Sequence, residues 1–242
     1  MLELRTRVTP QAPRPPADAL VGRTLASDVL HRLRSDIIDG VLRPGEPLRF
    51  QALRDHYGVS FGTLREALAH LVKEGLAVAE GQRGFRVAPI SRADLLDVIA
   101  VDTVLERQAV ALSIRNGGEA WERAVRDGFR RLDAARIEGG PGYELTAAWS
   151  ASHREFHAAL TAACGSPTLL EMRARLFERW HRYRQVLAES GIRLSRARDT
   201  HAALAEAALG RDAPRAMDLV EEQLRESAET IVAQAGEILE RG

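Results

Sequence analysis

The placement of glycine between residues 25 and 90 constrains the fold of this chain more than any other sequence feature. Gly40, Gly58 and Gly75 each follow a segment whose apolar residues recur every three or four positions, which is the spacing of one face of an α-helix. Glycine is favoured directly after a helix because it adopts the left-handed backbone conformation without a steric penalty. The spacing therefore predicts three short helices that end at these glycines.

A β-hairpin is predicted directly after the third helix. Residues 76–79 and 85–88 form two short runs on either side of a glycine-rich tip, and Pro89 ends the pattern. Three helices followed by a hairpin predict a winged helix-turn-helix domain over residues 25–90.

The remainder of the chain has helical periodicity throughout. Breaks that contain Gly or Pro separate six predicted helices, at 92–115, 119–138, 143–163, 167–189, 193–209 and 213–240. No strand pattern occurs there, so residues 91–242 are predicted to form an all-α antiparallel helical bundle of about six helices. Residues 1–24 are rich in proline and are predicted to be a flexible tail. The predicted fold class is mostly α.

Composition sets limits on the class of protein. Hydrophobic residues make up 45% and charged residues 28%, the profile of a soluble globular protein. No apolar run approaches the ~18 residues of a membrane span, and the N-terminus has no apolar region typical of a secretory signal. Cys164 is the only cysteine, so an intrachain disulfide is excluded and a cytoplasmic location is expected. The net charge is zero, but residues 1–90 carry thirteen Arg and Lys against ten Asp and Glu, which permits DNA binding.

The third helix is the candidate recognition helix. The first turn of such a helix lies against base edges in the major groove, and Arg65 is able to reach a guanine edge or a phosphate. Ser60 is a suitable N-cap. The complete set of candidate DNA-binding residues is Arg49, Gln51, Ser60, Phe61, Gly62, Thr63, Arg65, Arg83 and Gly84. The alternative is an interaction module that does not bind DNA, because three-helix modules also mediate protein contacts.

Three histidines are candidate metal ligands. His153 and His157 are four residues apart, so they share one face of a predicted helix, and His201 lies in a later helix. Imidazoles from two helices can hold a divalent metal inside a bundle; the alternative is a structural or surface pair. An alternative function is that of a helical metal-dependent hydrolase with Glu155 or Asp199 as base. The sequence lacks the His-Glu-x-x-His signature of such enzymes, so no enzyme is predicted.

Four aromatic residues of the bundle, Trp149, Phe177, Trp180 and Tyr183, are expected to line or floor a cavity. The alternative for each of them is ordinary core packing. The nearby basic residues Arg179, His181, Arg182 and Arg184 are expected to form a solvated face or an interface rather than a ligand clamp.

Nearly all of residues 25–90 resembles the DNA-binding domain of the GntR family. The resemblance is carried by Gly40 with Pro44-Gly45, by Gly58-Val59-Ser60, by Leu64-Arg65-Glu66-Ala67-Leu68, by Glu74-Gly75-Leu76 and by Gly84. It implies a transcription regulator, usually a repressor, that binds double-stranded operator DNA as a homodimer. The family usually has Arg at the position of Phe61 and often Pro at the position of Thr63. The operator is therefore expected to deviate from the family's usual half-site.

The back half resembles the FCD effector domain of the FadR-type branch of this family. The resemblance is carried by Leu105-Glu106, Phe156-His157-x-x-Leu160, Gly165-x-Pro167-x-Leu169, Thr200-His201-x-x-Leu204 and Gly210-Arg211-Asp212. It implies a sensor for a small organic acid or a related metabolite, in many members with a bound metal.

The metal-ligand positions of the FCD domain map onto His153, His157, His201 and Gln223. Here His replaces an Asp, and Gln replaces the last His. Three nitrogens and one oxygen suit a divalent ion of the zinc or nickel type. Asp102 stands where the family often has Arg, which removes an expected clamp for an acidic effector and makes Asp102 a candidate for the missing carboxylate ligand. The resemblance thus implies an effector pocket that comprises Asp102, Trp149, Trp180 and Tyr183.

Overall fold

The computed structural model describes residues 25–135, 143–144, 147–189, 193–194 and 197–239. The predicted tail over residues 1–24 lies outside the described residues. Within them the chain is mostly helical, and the two predicted parts, a front module and a helical bundle, each have a hydrophobic core. No helix in these ranges combines the length and the apolar character that crossing a membrane requires.

The front module has three helices and a small antiparallel sheet, as predicted for a winged helix-turn-helix. In chain order its elements are α1 (Leu25–Ile38), β1 (Pro47–Leu48), α2 (Phe50–Tyr57), α3 (Phe61–Lys73), β2 (Ala77–Ala79) and β3 (Phe85–Val87). The strands pair in the order β1-β3-β2, with a short 3-10 turn, Gly81–Arg83, at the tip of the hairpin. Buried Leu33, Leu64 and Leu68 join α1 to α3 in the core of this module.

Strand β1 was not predicted. It pairs with β3 in the register Pro47↔Arg86 and Leu48↔Phe85, and the Glu46 carbonyl accepts a hydrogen bond of 2.9 Å from the Val87 amide. A two-residue strand that pairs with a segment about forty residues away has no local periodicity, so the sequence around Pro44-Gly45 indicated only a turn.

In its described residues the rear module is the predicted bundle of six helices. They are α4 (Arg92–Asn116), α5 (Glu119–Ala134), α6 (Ala147–Thr161), α7 (Pro167–Glu189), α8 (Ala197–Leu209) and α9 (Ala213–Leu239). The expectation that this part contains no strand is wrong in one detail. Two short strands, β4 (Tyr143–Glu144) and β5 (Arg193–Leu194), pair antiparallel where the helices were predicted to begin. Helix α4 is central and contacts α6, α7, α8 and α9.

The two modules meet along α7. Ile90, just after the hairpin, is buried in the core of the bundle, and the Ser91 side chain caps α4 by accepting a hydrogen bond of 3.2 Å from the Asp94 amide. The guanidinium of Arg182 in α7 donates a hydrogen bond to the Ala88 carbonyl at the end of the hairpin. Side chains of α7 therefore fix the end of the wing against the bundle.

Candidate functional site

The first turn of α3 lies on the protein surface. Ser60 caps the helix by accepting a hydrogen bond of 3.2 Å from the Thr63 amide, and the two hydroxyl oxygens lie 2.9 Å apart. Ser60, Phe61, Gly62 and Arg65 are exposed, whereas Leu64 is buried in the core. An exposed helix N-terminus favours an anion such as a phosphate group.

Phe61 presents an aromatic surface at the start of this helix. Its side chain is 49% exposed and stacks on Phe50, with ring centroids 4.5 Å apart and an interplanar angle of 24°. Phe50 in turn meets the ring of Phe85 edge-on at 5.9 Å. The stack therefore joins α2, α3 and the wing, and it fixes the orientation of Phe61. Phe61 was predicted from the sequence, but its two supporting rings were not.

The candidate cations of this face are accessible. Arg49, Arg65 and Arg83 are exposed, and no hydrogen bond or ion pair joins the Arg65 side chain to another residue in the described ranges. Gly84 beside the wing tip has a φ of 94°, a conformation that other residues rarely adopt. Gln51 differs, because its side-chain amide donates to both carboxylate oxygens of Asp55 at 3.1 Å.

The three predicted histidines converge inside the bundle. His153, His157 and His201 are 2%, 5% and 1% exposed, and one ring nitrogen of each lies within 4.8 Å of the others. The side-chain nitrogen Nε2 of Gln223 lies 2.8 Å from Nε2 of His201. All four residues line a cavity of about 230 Å³ between α4, α6, α7, α8 and α9.

Protonation and hydrogen bonding suit this cluster to a metal. Burial lowers the pKa of His157 and lowers the pKa of His153 well below its ordinary value, so both imidazoles are neutral, as ligands must be. His157 Nδ1 lies 3.2 Å from Glu106 Oε1, an arrangement that orients a ligating histidine. Its Nε2 is buried without a partner in the part of the chain described. A divalent cation would satisfy that lone pair, so the residues fit a metal.

Glu106 and Arg173 support the cluster from behind. Both are buried; the Arg173 guanidinium donates to both carboxylate oxygens of Glu106, with Nη2 3.0 Å from Oε1. Burial alone would raise the pKa of Glu106, but the charge of Arg173 and the hydrogen bonds from His157 and Arg173 outweigh it and lower that pKa. Neither residue was predicted from the sequence to have a role, since their pairing joins positions 67 apart.

Asp102 lies in the same cavity but is not brought into the metal cluster. The group of potential ligands found among the described residues contains the three histidines only. One oxygen of Asp102 accepts a hydrogen bond of 3.0 Å from Trp180 Nε1, and Oδ1 has no partner among the residues that the structure describes. Burial, with a smaller contribution from the charge of Glu106, raises the pKa of Asp102 to about 8. The expectation that Asp102 replaces the missing carboxylate ligand is thus not supported.

Of the two alternatives predicted for the basic residues of α7, a solvated face or an interface, the solvated face is wrong. His181, Arg182 and Arg184 are all buried, and Arg184 lines the cavity with its guanidinium 4.4 Å from the centre of the Trp149 ring. Arg173, Phe177, Trp180 and Arg184 recur at helical spacing, which places two arginines on the same face as two aromatic rings. This spacing could have indicated that both arginines face inward. A count of the positive charges in the segment suggests a solvent-exposed face instead.

The aromatic residues of the predicted pocket occupy three different environments. Trp180 lines the cavity. Trp149 is fully buried behind it and stacks on His153 at 4.7 Å. Tyr183 is not among the lining residues; its hydroxyl donates to Asp94 at 2.5 Å and accepts from the Ser91 amide at 3.3 Å. Tyr183 therefore belongs to the junction between the two modules.

Comparison with known proteins gives two family matches. Residues 25–87 match the model of bacterial regulatory proteins of the gntR family, and residues 97–226 match that of the FCD domain.

Two curated relatives cover most of the chain. The HTH-type transcriptional repressor GlaR of Escherichia coli (strain K12) is 37% identical over 197 residues, 79% of this chain and 89% of that protein. An uncharacterized HTH-type transcriptional regulator, BphR, of Paraburkholderia xenovorans (strain LB400) is 36% identical over 216 residues, 88% of this chain and 87% of that protein. Among solved structures, that of E. coli McbR/YncC matches with a TM-score of 0.76 at 23% identity, over 88% of this chain and 99% of that one, which indicates a shared fold.

Proposed function

The chain belongs to the GntR family of bacterial regulatory proteins and carries an FCD domain, and from this premise we propose that it is a cytoplasmic, homodimeric repressor. It is a DNA-binding transcription regulator whose C-terminal domain binds a small molecule. In our proposal that molecule is a small organic acid or a related metabolite, bound beside a divalent metal, and it sets the affinity for operator DNA.

The observation that carries the DNA-binding part is the exposed first turn of α3. Phe61 and the cation of Arg65 face solvent there, and a face used only for packing would bury them. The match of residues 25–87 to the gntR family disfavours the alternative of an interaction module without DNA binding. A gel-shift assay with the DNA upstream of the gene itself tests the proposal, and failure to retain specific duplex at moderate salt would contradict it.

Arg65→Ala is expected to cost about 1–3 kcal/mol of operator affinity if Arg65 reads a base. The loss would then be confined to the specific operator. If Arg65 contacts only a phosphate, affinity falls similarly on all sequences and the dependence of log K on log salt becomes shallower. Titrations of operator and random duplex at several salt concentrations separate these cases. Arg115→Ala, which removes an exposed arginine at the end of α4, is the matched control and should leave affinity unchanged.

Phe61 is expected to shift the operator sequence away from the family's usual half-site. An aromatic ring cannot donate a hydrogen bond to a base, but it can contact a thymine methyl group. Selection of binding sites from random DNA should recover a deviating half-site for the wild type, and Phe61→Arg should move it toward the family's usual sequence. Replacing thymine by deoxyuridine should weaken the wild type and spare Phe61→Ala. Recovery of the usual half-site by the wild type would refute this prediction.

The proposed metal ligands are His153, His157, His201 and Gln223, for an ion of the zinc or nickel type. Support comes from the unpartnered Nε2 of His157 and from the neutral state of the buried imidazoles. When bound, such an ion supplies a positive anchor for an anionic group. Arg184 supplies a second positive charge in the cavity, where burial lowers its pKa to about 9. The alternative is a polar pocket in which the histidines bond one another and water.

A hydrolytic role for the histidine cluster is disfavoured. Glu155, one of the two candidate bases, lies on the surface and forms an ion pair with Arg131 at 2.8 Å. The side chain of Asp199 lies outside the described residues. Since the curated relatives are transcriptional regulators, we propose a sensing role without catalysis.

Helix α7 is the proposed route between the cavity and the DNA-binding module. One face carries Trp180 and Arg184 toward the cavity. The other face carries Arg182 to the Ala88 carbonyl and Glu178 to within 3.9 Å of Arg34 in α1. A ligand that repositions α7 thereby changes the placement of the two recognition helices in the dimer. This change of placement couples the effector cavity to the DNA-binding surface.

The proposed dimer interface is the exposed face of α4. Leu96, Val101 and Val104 are 46%, 44% and 66% exposed, and Ala93 and Ala100 on the same face are also exposed. A second copy would bury these apolar groups. Two heads reading two half-sites would match the symmetry expected of a family operator.

A further inference from the structure

We infer that the effector carries an anionic group and a cationic hydrogen-bond donor on one small molecule, as an amino acid does, with Arg184 receiving the first and Asp102 the second. This inference rests on the proposed effector cavity and narrows the class of ligand that it takes.

Two buried ionisable side chains on the cavity wall, one acidic and one basic, lack hydrogen-bond partners for part of their polar atoms. Asp102 and Arg184 are 1% and 3% exposed, and Oδ1 of Asp102 and Nε of Arg184 have no hydrogen-bond partner among the described residues. Both adjoin Trp180, whose Nε1–H donates to Oδ2 of Asp102 at 3.0 Å and whose ring centre lies 5.1 Å from the Arg184 guanidinium. Leaving such groups buried and unpaired is costly, so a ligand that pairs with them is favoured.

Asp102 and Arg184 do not pair with each other. No ion pair within 4 Å joins Asp102 to Arg184 among the described residues, although Arg173 and Glu106 in the same region form one. Asp102 is also outside the histidine cluster, so a metal held there does not use it. The pKa of Asp102 is raised because burial and the charge of Glu106 disfavour the charged form of its carboxyl group. An ammonium group placed against Oδ1 would favour the carboxylate and complete its hydrogen bonding.

The dimensions of the cavity agree with a ligand of this kind. Its volume of about 230 Å³ is below the roughly 300–1,000 Å³ of sites that hold drug-sized molecules. The anionic end of the ligand would lie beside the histidines and Arg184, because Arg184 Nη1 is 3.3 Å from His153. The donor end would lie beside Asp102 and Trp180. A carboxylic acid without an amino group would pair with Arg184 and leave Asp102 unpaired.

The test uses sets of ligands that differ in one group. The full-length protein is titrated by calorimetry and thermal shift, with one equivalent of zinc or with EDTA. The probes are the twenty protein amino acids and the straight-chain ω-amino acids of three to six carbons, together with the monocarboxylates, dicarboxylates and alkylamines of matching length. We expect at least one amino acid to bind about tenfold or more tightly than its acid and its amine counterparts. This comparison needs no variant, so it stands even if a substitution impairs folding.

Asp102→Asn then tests the assignment. The amide retains an acceptor for Trp180 and removes the charge, so the preference for the amino form should fall to within about threefold, while affinity for the matched acid stays the same. Arg184→Gln should weaken both ligands. Glu222→Gln, which removes an exposed carboxylate of α9, is the control and should change neither.

Three results would overturn the inference: equal or tighter binding of mono- or dicarboxylates, a preference that survives Asp102→Asn, or no binding by any amino compound. Operator binding by the same samples separates this failure from that of the proposed function. If specific DNA is retained, the regulator proposal stands and only the ligand class is wrong.

Discussion

Val104→Glu is expected to convert the dimer into monomers and to lower affinity for a two-site operator by about 10²–10⁴-fold. Val104 is the most exposed of the large apolar residues on the outer face of α4, at 66%, and it lies between Ala100 and Gln108 on that face. In the proposed dimer this position is buried against a second copy, where an unpaired carboxylate is strongly unfavourable. Each head would then bind a half-site alone, without the gain from simultaneous binding.

Sedimentation and operator titration measure the two parts of this prediction. The variant should sediment as a monomer, and its affinity for an isolated half-site should equal that of the wild type. Met172→Glu introduces the same charge at a 50% exposed position of α7 and should leave both properties unchanged. A wild type that is monomeric at assay concentrations would refute the homodimer, whereas a Val104→Glu dimer would refute only the assignment of the interface to α4.

Local sequence determined the helices well because their breaks and faces are local properties. Gly40, Gly58 and Gly75 have φ values of 77°, 68° and 73°, so the helix ends predicted from glycine coincide with the backbone that only glycine adopts freely. The Ser60 cap was predictable for the same reason. The two-residue strands β1, β4 and β5 were missed, since each exists only by pairing with a distant segment.

The candidate site shows the same division. His153 and His157 were identifiable from their spacing within one helix, and His201 as a histidine in a later helix of the same bundle. Glu106, Arg173 and Arg184 were not assigned to the site. The pairing of Glu106 with Arg173 joins distant segments, and the prediction for α7 did not use the helical spacing that places both arginines on one face with Phe177 and Trp180. Composition misled at Arg184, where four basic residues in six positions suggested a solvent-exposed face. The helix instead turns Arg184 inward, where its guanidinium packs over the rings of Trp149 and Trp180.

His157→Ala is expected to abolish stoichiometric metal binding, which the wild type should show for zinc or nickel. His157 supplies the buried nitrogen that lacks any partner in the described structure, and it is the histidine that Glu106 orients. At a metal concentration of about 100 times the dissociation constant, binding should stabilise the wild type by about 2.7 kcal/mol. That corresponds to about 5–10 °C in melting temperature for a chain of this size. The variant should show no such shift.

Glu106→Gln is expected to weaken metal binding without abolishing it. It keeps a side chain of the same shape beside His157 but removes the charge that orients and polarises the imidazole, so metal affinity should fall by about 10–100-fold without being lost. His181→Gln, which changes a buried histidine outside the cluster, is the matched control and should retain the metal. All proteins are purified without a polyhistidine tag, and their metal content is measured by elemental analysis before and after dialysis against zinc. If the wild type contains no stoichiometric metal and His157→Ala changes nothing, the histidines form a polar pocket and the metal proposal is wrong.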